Sequence, residues 1–505
     1  MMEHETTHRW CLQKRKPEAL FSLAWAFLFL TAAFLFLTAA FFFQGCSGDS
    51  STQNAPPNIL LIVSDQQHYQ AFGTIDSFFS TPNLDGLAKQ STVFTHSFVT
   101  SPQCSPSRSS LYTGLYPHKT HVIRNTDSFD SNGRKIERLA DSFKTIGEYL
   151  KPAGYTTTYI GKWHLGDVGK HAEGYDIQHF NTIKGGDSTT DKEKTKYALA
   201  FLDKVTKSEK VQPFAMFLNY TEPHNIYSYG LTDEPKPVES LQKNVQMPMS
   251  FYLENQLKKP VSQRIYMESD SGKHFNNQDE AVWKTYRGFY RSSVENFDRE
   301  LGKVLNALKK YNLSKNTIIF VTSDHGDMDT HHRLVFKGPF GYEQVTRVPL
   351  VIHVPRRFGG KNPLRENAFT VNVDILPTIL DFAGLPSDIG DGFSLKPLLL
   401  GKEQKHLRSH VIGEYYNKQK WVHPLRIVRN DKYKYIDHLT GRDELYNLEI
   451  DPNEIHNLID DTSITHIRKQ LAGILDEWII EAQSDPFYTL TATDITGKPI
   501  KPSLP

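Results

Sequence analysis

An α/β fold is the architecture this chain predicts: a large mixed, mainly parallel sheet sandwiched by helices, followed by a smaller α+β unit. Three observations carry that prediction. Short continuous apolar runs recur, as expected of strands buried on both faces. Each run ends in polar residues of the kinds that do chemistry. Segments of helical period precede two of the runs, and such alternation builds parallel sheets. The length of 505 residues allows one large domain or two to three ordinary ones, and 38% hydrophobic with 12% aromatic residues is enough for a real core.

In chain order, the N-terminus reads as a targeting segment. Lys14, Arg15 and Lys16 precede an apolar run from Ala19 to Phe43, long enough to span a bilayer and preceded by basic residues like a charged n-region. It ends at Gln44-Gly45-Cys46-Ser47-Gly48. A small residue directly before a cysteine resembles a bacterial lipobox, although Phe43 and Gln44 replace the usual aliphatic and small residues. Two readings follow: cleavage before Cys46 with lipidation of that cysteine, or an uncleaved signal anchor. Residues 1–46 are assigned to this segment and 47–57 to a linker, because Gly48 to Pro57 is rich in Ser, Asn and Pro. Either reading exports the body to the periplasm or cell envelope and tethers it to the membrane.

The main domain is expected over 58–400. Ile59–Val63 is a buried-strand run ending in Ser64-Asp65-Gln66-Gln67. Asp141–Leu150 reads as helix before the run Thr157–Ile160, which ends in Gly161-Lys162-Trp163-His164. Phe214–Leu218 leads to Glu222-Pro223-His224. The segment 225–279 is rich in Pro, Gln, Lys, Ser and Tyr with weak periodicity. It reads as an irregular insertion, either a pocket wall or a plain surface excursion. Tyr286–Leu308 carries Val294, Phe297, Leu301, Val304, Leu305 and Leu308 at helical spacing. It precedes the run Thr317–Thr322, which ends in Ser323-Asp324-His325-Gly326-Asp327. Asp374–Asp381 is a further helix with a proline in its first turns. The C-terminal unit, 401–505, shows short β-like runs at Leu425–Val428 and Lys432–Ile436, then an amphipathic segment over Ile464–Glu481. No fixed-period repeat is present.

Open α/β sheets place ligand sites at the C-terminal ends of their strands. One polar strand end is ordinary loop polarity; four such ends delivering Asp, His and Lys to one edge make a site. Asp65 and Asp324, with Asp327 as a further candidate and the Gln66 amide oxygen, are hard ligands suited to Ca²⁺ or Mg²⁺. His325 could add a nitrogen, which is less usual for Ca²⁺. The balance of 58 Lys plus Arg against 57 Asp plus Glu leaves no basic footprint, so nucleic-acid binding has no support. Anion binding must then be local, through Arg108, Lys162 and Lys337. His164 and His224 could donate or receive protons. Cys104 is the only cysteine outside the N-terminal edge. A buried small hydrophobe is the ordinary reading of such a thiol, but the neighbouring Ser, Pro and Arg residues make a poor apolar site. This equipment suits hydrolysis of an anionic phosphorus or sulfur ester, and spacing alone does not separate the two.

The segments Cys104-Ser105-Pro106-Ser107-Arg108 and Leu111-Tyr112-Thr113-Gly114 closely resemble the first signature of the type I sulfatases, members of the alkaline phosphatase-like superfamily. Gly154 through Gly166 resembles the second signature. The resemblance continues through Ser323-Asp324-His325-Gly326, Lys337-Gly338-Pro339, Arg347-Val348-Pro349-Leu350, Glu444-Leu445-Tyr446-Asn447-Leu448 and Asp451-Pro452. It implies an exported sulfatase acting on sulfated carbohydrate, such as algal polysaccharide or glycosaminoglycan fragments. It implies that a formylglycine-generating enzyme converts Cys104 to Cα-formylglycine, whose hydrate is a geminal diol. One hydroxyl would attack sulfur and the other would then expel sulfate. By resemblance Asp65, Gln66, Asp324, His325 and modified Cys104 bind one Ca²⁺. Arg108 stabilises the diol, Lys162 and Lys337 hold sulfate oxygens, His164 assists the diol and His224 protonates the leaving alcohol. Gln66 stands where many members have Asp, and His325 where many have Asn. The loss of a charge should weaken Ca²⁺ binding. His121 replaces a common Gly and, with Arg124, is a candidate substrate reader; loop packing is the alternative for His118 and His121. A phosphonate monoester or phosphodiester hydrolase of the same superfamily, and a non-catalytic sulfated-glycan binder, are the competing functions.

Overall fold

The computed structural model describes residues 55–126, 138–181, 190–209, 212–232, 234–254, 258–402, 408–418, 421–439, 441–481 and 491–499. Residues 56–505 form one compact unit. The apolar run Ala19–Phe43 and Cys46 lie outside the described residues. Among the described residues no helix is long and apolar enough to cross a membrane.

An eight-stranded sheet is built from β1 (Asn58–Asp65), β2 (Thr92–Phe98), β3 (Thr156–Lys162), β4 (Ile177–Asn181), β5 (Phe214–Pro223), β6 (Thr317–Ser323), β7 (Leu350–His353) and β8 (Leu364–Val371). Its order is β4-β3-β5-β1-β6-β7-β2-β8. Only β7 runs antiparallel to its neighbours, β6 and β2, so the sheet is mixed and mainly parallel. The four apolar runs read from sequence are the adjacent strands β3, β5, β1 and β6. Ile62 pairs with Leu218 on one side and Val321 on the other. Parallel neighbours in register end together, so Lys162, Asp65, Ser323 and the residues after Pro223 arrive at one edge.

Helices cover both faces: α1 (Cys104–Thr113), α2 (Ile146–Leu150), α3 (Asp191–Thr206), α4 (Glu280–Lys310) and α5 (Ile375–Phe382). The pleat sends alternate β1 residues to opposite sides. Ile59, Leu61 and Val63 join a core with α1, α2 and α5, whereas Leu60 and Ile62 join Phe201, Phe297, Leu301 and Val304 of α3 and α4. The helix expected from Asp141 is confined to α2, because Thr145 and Glu148 form a capping box that starts it at Ile146. The segment 225–279 contains short helices, among them Met249–Leu253 and Val261–Ser269. Its Ile226, Phe251, Tyr266 and Phe275 share a core with α4 and with Tyr415, Leu425 and Ile427. This segment is packed into the body.

The C-terminal part forms a four-stranded antiparallel sheet, β12-β11-β10-β9, from β9 (His410–Lys418), β10 (Trp421–Asn430), β11 (Tyr433–His438) and β12 (Glu444–Asn447). Leu471 and Leu475 of α6 (Thr465–Glu481) pack on Val428 and Tyr435. One glycine matters for the main sheet. Gly161 has φ +97°, and a Cβ there would lie 2.0 Å from the Asn219 carbonyl oxygen. Only glycine lets β3 approach β5 this closely just before Lys162.

Candidate active site

α1 starts at Cys104, immediately after extended Gln103 at φ −149°, ψ 144°. The thiol is therefore in the first helical turn, where backbone N–H groups favour negative charge. All ten residues of α1 are buried. Its hydroxyls anchor the strand-end loops: Ser105 Oγ donates to the His164 carbonyl at 2.6 Å, and Ser107 Oγ donates to the Asp324 carbonyl. A Ser-rich helix can thus be buried without leaving those hydroxyls unsatisfied.

Ligand atoms of Asp65, Cys104, Asp324 and His325 all lie within 4.8 Å of one another, and all four residues are buried. Cys104 Sγ is 3.2 Å from His325 Nε2 and 3.6 Å from Lys162 Nζ. Lys162 also donates to Asp65 Oδ2. Arg108 Nε donates to Asp324 Oδ2 at 2.8 Å, and its Nη1 donates to the Lys162 carbonyl at 2.8 Å and Asn219 Oδ1 at 3.0 Å. The Gln66 backbone N–H donates to Asp324 Oδ1 at 3.1 Å, and Lys337 Nζ donates to Gln66 Oε1. His164 and His224 are neighbours of Cys104.

The charges follow from this packing. Burial would raise the Cys104 thiol, but Lys162, Lys337 and His325, with His164 beside it, hold it well below the ordinary thiol range. Burial likewise disfavours charge on Asp65, yet Lys162 leads the attractions that hold its carboxyl below the usual range. Lys162 and Arg108 resist burial through Asp65, Cys104 and Asp324 and stay cationic. Burial, reinforced by Lys162 and Lys337, pushes His224 down to about 4, so its ring is neutral near pH 7.

The pocket fits a divalent cation. Asp65 Oδ1 is buried with no hydrogen-bond partner, a position that costs free energy unless something coordinates it. His325 Nδ1 lies 2.8 Å from the Gly326 carbonyl, which makes Nδ1 the donor and leaves Nε2 as a lone-pair ligand toward the cluster.

Asp65, Gln66, Lys162, His164, His224, Asp324 and His325 of the four strand ends thus gather around Cys104 and Arg108 of α1, and Lys337 joins through Gln66. Asp327 differs from its expected place among the ligands. Its Oδ2 accepts from Gln66 Nε2 at 2.6 Å, so it holds the Gln66 amide instead. His121, exposed at φ 60°, and half-buried Arg124 stand on the loop after the short helix Pro117–Thr120. Asn125 of that loop accepts from the Ser105 N–H at 3.1 Å. His118 is buried 3.0 Å from Glu414 Oε2 and edge-on to Trp478, a packing role. Sequence reasoning missed Asn219, which accepts from both Arg108 and Tyr112 (2.7 Å to the phenol). It directly follows the run Phe214–Leu218, so a polar residue ending a buried strand was the available signal.

A mixed α/β sheet whose strand ends meet α1 in a buried cluster of metal-ligand side chains, with Arg108, Lys162 and Lys337 as its cations, defines a hydrolase of anionic esters. A sulfatase family model matches residues 57–385, and the C-terminal model of N-sulphoglucosamine sulphohydrolase matches 331–481. The chain belongs to the sulfatase family, the sulfuric ester hydrolases of the alkaline phosphatase-like superfamily, which generally use formylglycine and a metal ion. It is 28% identical over 465 residues to the Δ4,5-hexuronate-2-O-sulfatase of Bacteroides thetaiotaomicron, covering 87% of this chain and 92% of the relative. It is 27% identical over 506 residues to the ulvan-active sulfatase of Formosa agariphila, covering 90% and 88%. The solved structure of a 2-O GAG sulfatase superposes with a TM-score of 0.75 at 25% identity, covering 88% of this chain and 98% of that one. A phosphonate monoester hydrolase of Agrobacterium radiobacter shares the fold, with a TM-score of 0.65 at 21% identity over 85% of this chain and 96% of that one.

Proposed function

We propose that this protein removes sulfate from sulfated carbohydrate, such as algal polysaccharide or glycosaminoglycan fragments, with Cys104 converted to Cα-formylglycine by a formylglycine-generating enzyme and one Ca²⁺ in the adjoining pocket. The convergence of Asp65, Cys104, Asp324 and His325 around an unpartnered carboxylate oxygen carries this reading. Named relatives that act on hexuronate, N-acetylglucosamine and ulvan support the carbohydrate.

The hydrated aldehyde would supply the attacking hydroxyl, and the cation would lower its pKa and polarise the sulfate. Asp65, Asp324, His325 and the Gln66 amide oxygen would hold the cation. Arg108 is anchored by its bonds to Asp324, Asn219 and the Lys162 carbonyl, and its Nη2, buried without a hydrogen bond 3.7 Å from Asp65 Oδ2, would stabilise the diol. Lys162 is placed to neutralise negative charge at position 104 and on a sulfate oxygen, and Lys337 to hold another. His164 would hold the proton of the group at 104. His224, neutral in the free protein, would take up a proton once the anionic sulfate ester sits beside it, and would then pass that proton to the departing alcohol oxygen. His121 and Arg124 are candidate contacts for the sugar.

We further propose export to the periplasm or envelope, with a membrane tether through lipidated Cys46 or an uncleaved anchor. The apolar run Ala19–Phe43 and the Gly45-Cys46 step support this; mass spectrometry of the mature N-terminus decides between the two tethers. For the activity, a panel of sulfated oligosaccharides is assayed beside aryl sulfate and aryl phosphate esters. Sulfate release from the panel is the expected result. Preference for phosphate or phosphonate esters would move the protein to the phosphonate hydrolases, and glycan binding without turnover would make it a binder.

A further inference from the structure

Gln66 is held by two groups of opposite demand. Lys337 Nζ, which can only donate, bonds its Oε1. Asp327 Oδ2 receives its Nε2 at 2.6 Å. Asp327 is surrounded by donors: Oδ1 accepts from the Asp329 N–H at 2.7 Å and from Tyr286 Oη at 3.0 Å, and Oδ2 lies 3.1 Å from the same phenol. Tyr286 Oη in turn accepts from the Phe336 N–H at 2.8 Å, next to Lys337. Gln66, Lys337, Asp327 and Tyr286 are all buried.

An amide has one accepting and one donating end, and which end faces which neighbour is set by the surrounding network. While ionised, Asp327 can only accept, so the Gln66 NH₂ faces it and the oxygen faces Lys337 and the metal pocket; burial pushes the Asp327 carboxyl up to about 7, so the metal titration belongs above that pH. We infer that Asp327, itself held by Tyr286 and Asp329, is the positioning residue that keeps the Gln66 oxygen turned toward the cation and Lys337.

The consequence is a polarity that can be inverted. In Asp327→Asn the amide oxygen would stay with Asp329 and Tyr286, and the new NH₂ would replace Oδ2 opposite Gln66. Gln66 would have to turn over, presenting its own NH₂ to the Lys337 ammonium and to the metal pocket. In Gln66→Glu alone, two carboxylates would face each other. In the double variant, the carboxylate introduced at position 66 would accept from Lys337 and from the amide introduced at position 327. Every bond would again have a donor and an acceptor.

The inference rests on the metal-centre reading above, so the test reads metal binding in the absence of substrate. Chelator-stripped protein is titrated calorimetrically with Ca²⁺, and the Ca²⁺-induced rise in melting temperature is recorded. Loss of a group that orients a ligand weakens metal affinity on the order of 10–100-fold. Asp327→Asn is expected to show that loss in the wild-type background and to show none, or a gain, in the Gln66→Glu background, a comparison in which the charge that Gln66→Glu adds to the pocket cancels. A purely structural role for Asp327 would cost the same affinity in both backgrounds. Equal Ca²⁺ affinity in Asp327→Asn and wild type, or the same loss in both backgrounds, overturns the inference. If Asp327→Asn does not fold, Gln66→Glu against the double variant still decides it. Wild-type protein that binds no Ca²⁺ removes the metal-centre reading instead.

Discussion

Among the described residues, two of the groups of buried charges are built on opposite plans. At the strand ends, Asp65, Asp324, Arg108, Lys162 and Lys337 converge with a low-pKa thiol on one small volume, and Asp65 Oδ1 is left without a hydrogen bond. Between the main domain and the C-terminal sheet, charges alternate and are interleaved with aromatic rings. Lys434 Nζ is 2.8 Å from Glu343 Oε1, 2.8 Å from Glu454 Oε1 and donates to the Gly341 carbonyl at 3.0 Å. Lys259 Nζ lies 5.0 Å from the ring centre of Tyr342 and 4.7 Å from that of Tyr446. Glu444 accepts from Tyr342 Oη at 3.1 Å and is 2.9 Å from His438 Nε2. Burial and charge are common to both groups. What marks the first as a site is the convergence of ligand atoms on a point that the protein itself does not fill.

That contrast can be broken from either side. Cys104→Ala should remove turnover, by roughly 10⁴-fold or more as when a nucleophile is deleted, and leave the cooperative melt close to wild type. Wild-type-like activity in that variant would falsify the role given to position 104. Lys434→Met should do the reverse. It leaves Glu343 and Glu454 buried without their shared cation, at a cost of about 3–5 kcal/mol in denaturant unfolding, with turnover per folded molecule retained. Specific activity falling in step with stability would merge the two groups.

Acid titration should separate them further. Burial raises Glu444, but the hydrogen bond and charge of His438, the Lys259 ammonium and the Tyr446 hydroxyl together outweigh it and bring the carboxyl down to about 2. A depressed carboxylate stabilises above its unfolded pKa and loses that contribution as pH falls through its folded one. Stability should therefore drop between about pH 4.5 and pH 2 by on the order of 3 kcal/mol. Glu444→Gln should flatten that limb; an unchanged limb would assign acid lability elsewhere. The smallest effect is metal removal. Ca²⁺ at about 100 times its dissociation constant stabilises by about 2.7 kcal/mol, so a chelator should lower the melting temperature of wild type and of Lys434→Met by equal amounts.

How much of this was legible in the sequence depends on how each element is buried. β1, β3, β5 and β6 are covered on both faces and so read as unbroken apolar runs. β8 begins with alternating exposure over Leu364-Arg365-Glu366-Asn367-Ala368 at the sheet edge, and leaves no such run. α1 escaped as a helix because its Ser-rich face is buried through hydrogen bonds to carbonyls, which no hydropathy pattern records. The candidate ligands Asp65, Gln66, Asp324 and His325 were visible because they stand at strand ends. Asn219 and the supporting place of Asp327 were hidden, since they depend on which atom of a side chain faces which neighbour.

The close approach at Gly161 bears on how a mutational scan of this protein would be read. With the Asn219 carbonyl 2.0 Å from any added Cβ, position 161 should tolerate nothing else. It would score as silent as Lys162 beside it. Fitness alone would merge the two into one hotspot. Scoring protein abundance alongside activity would part them: variants at 161 should vanish from the cell, and those at 162 should accumulate, folded and inert.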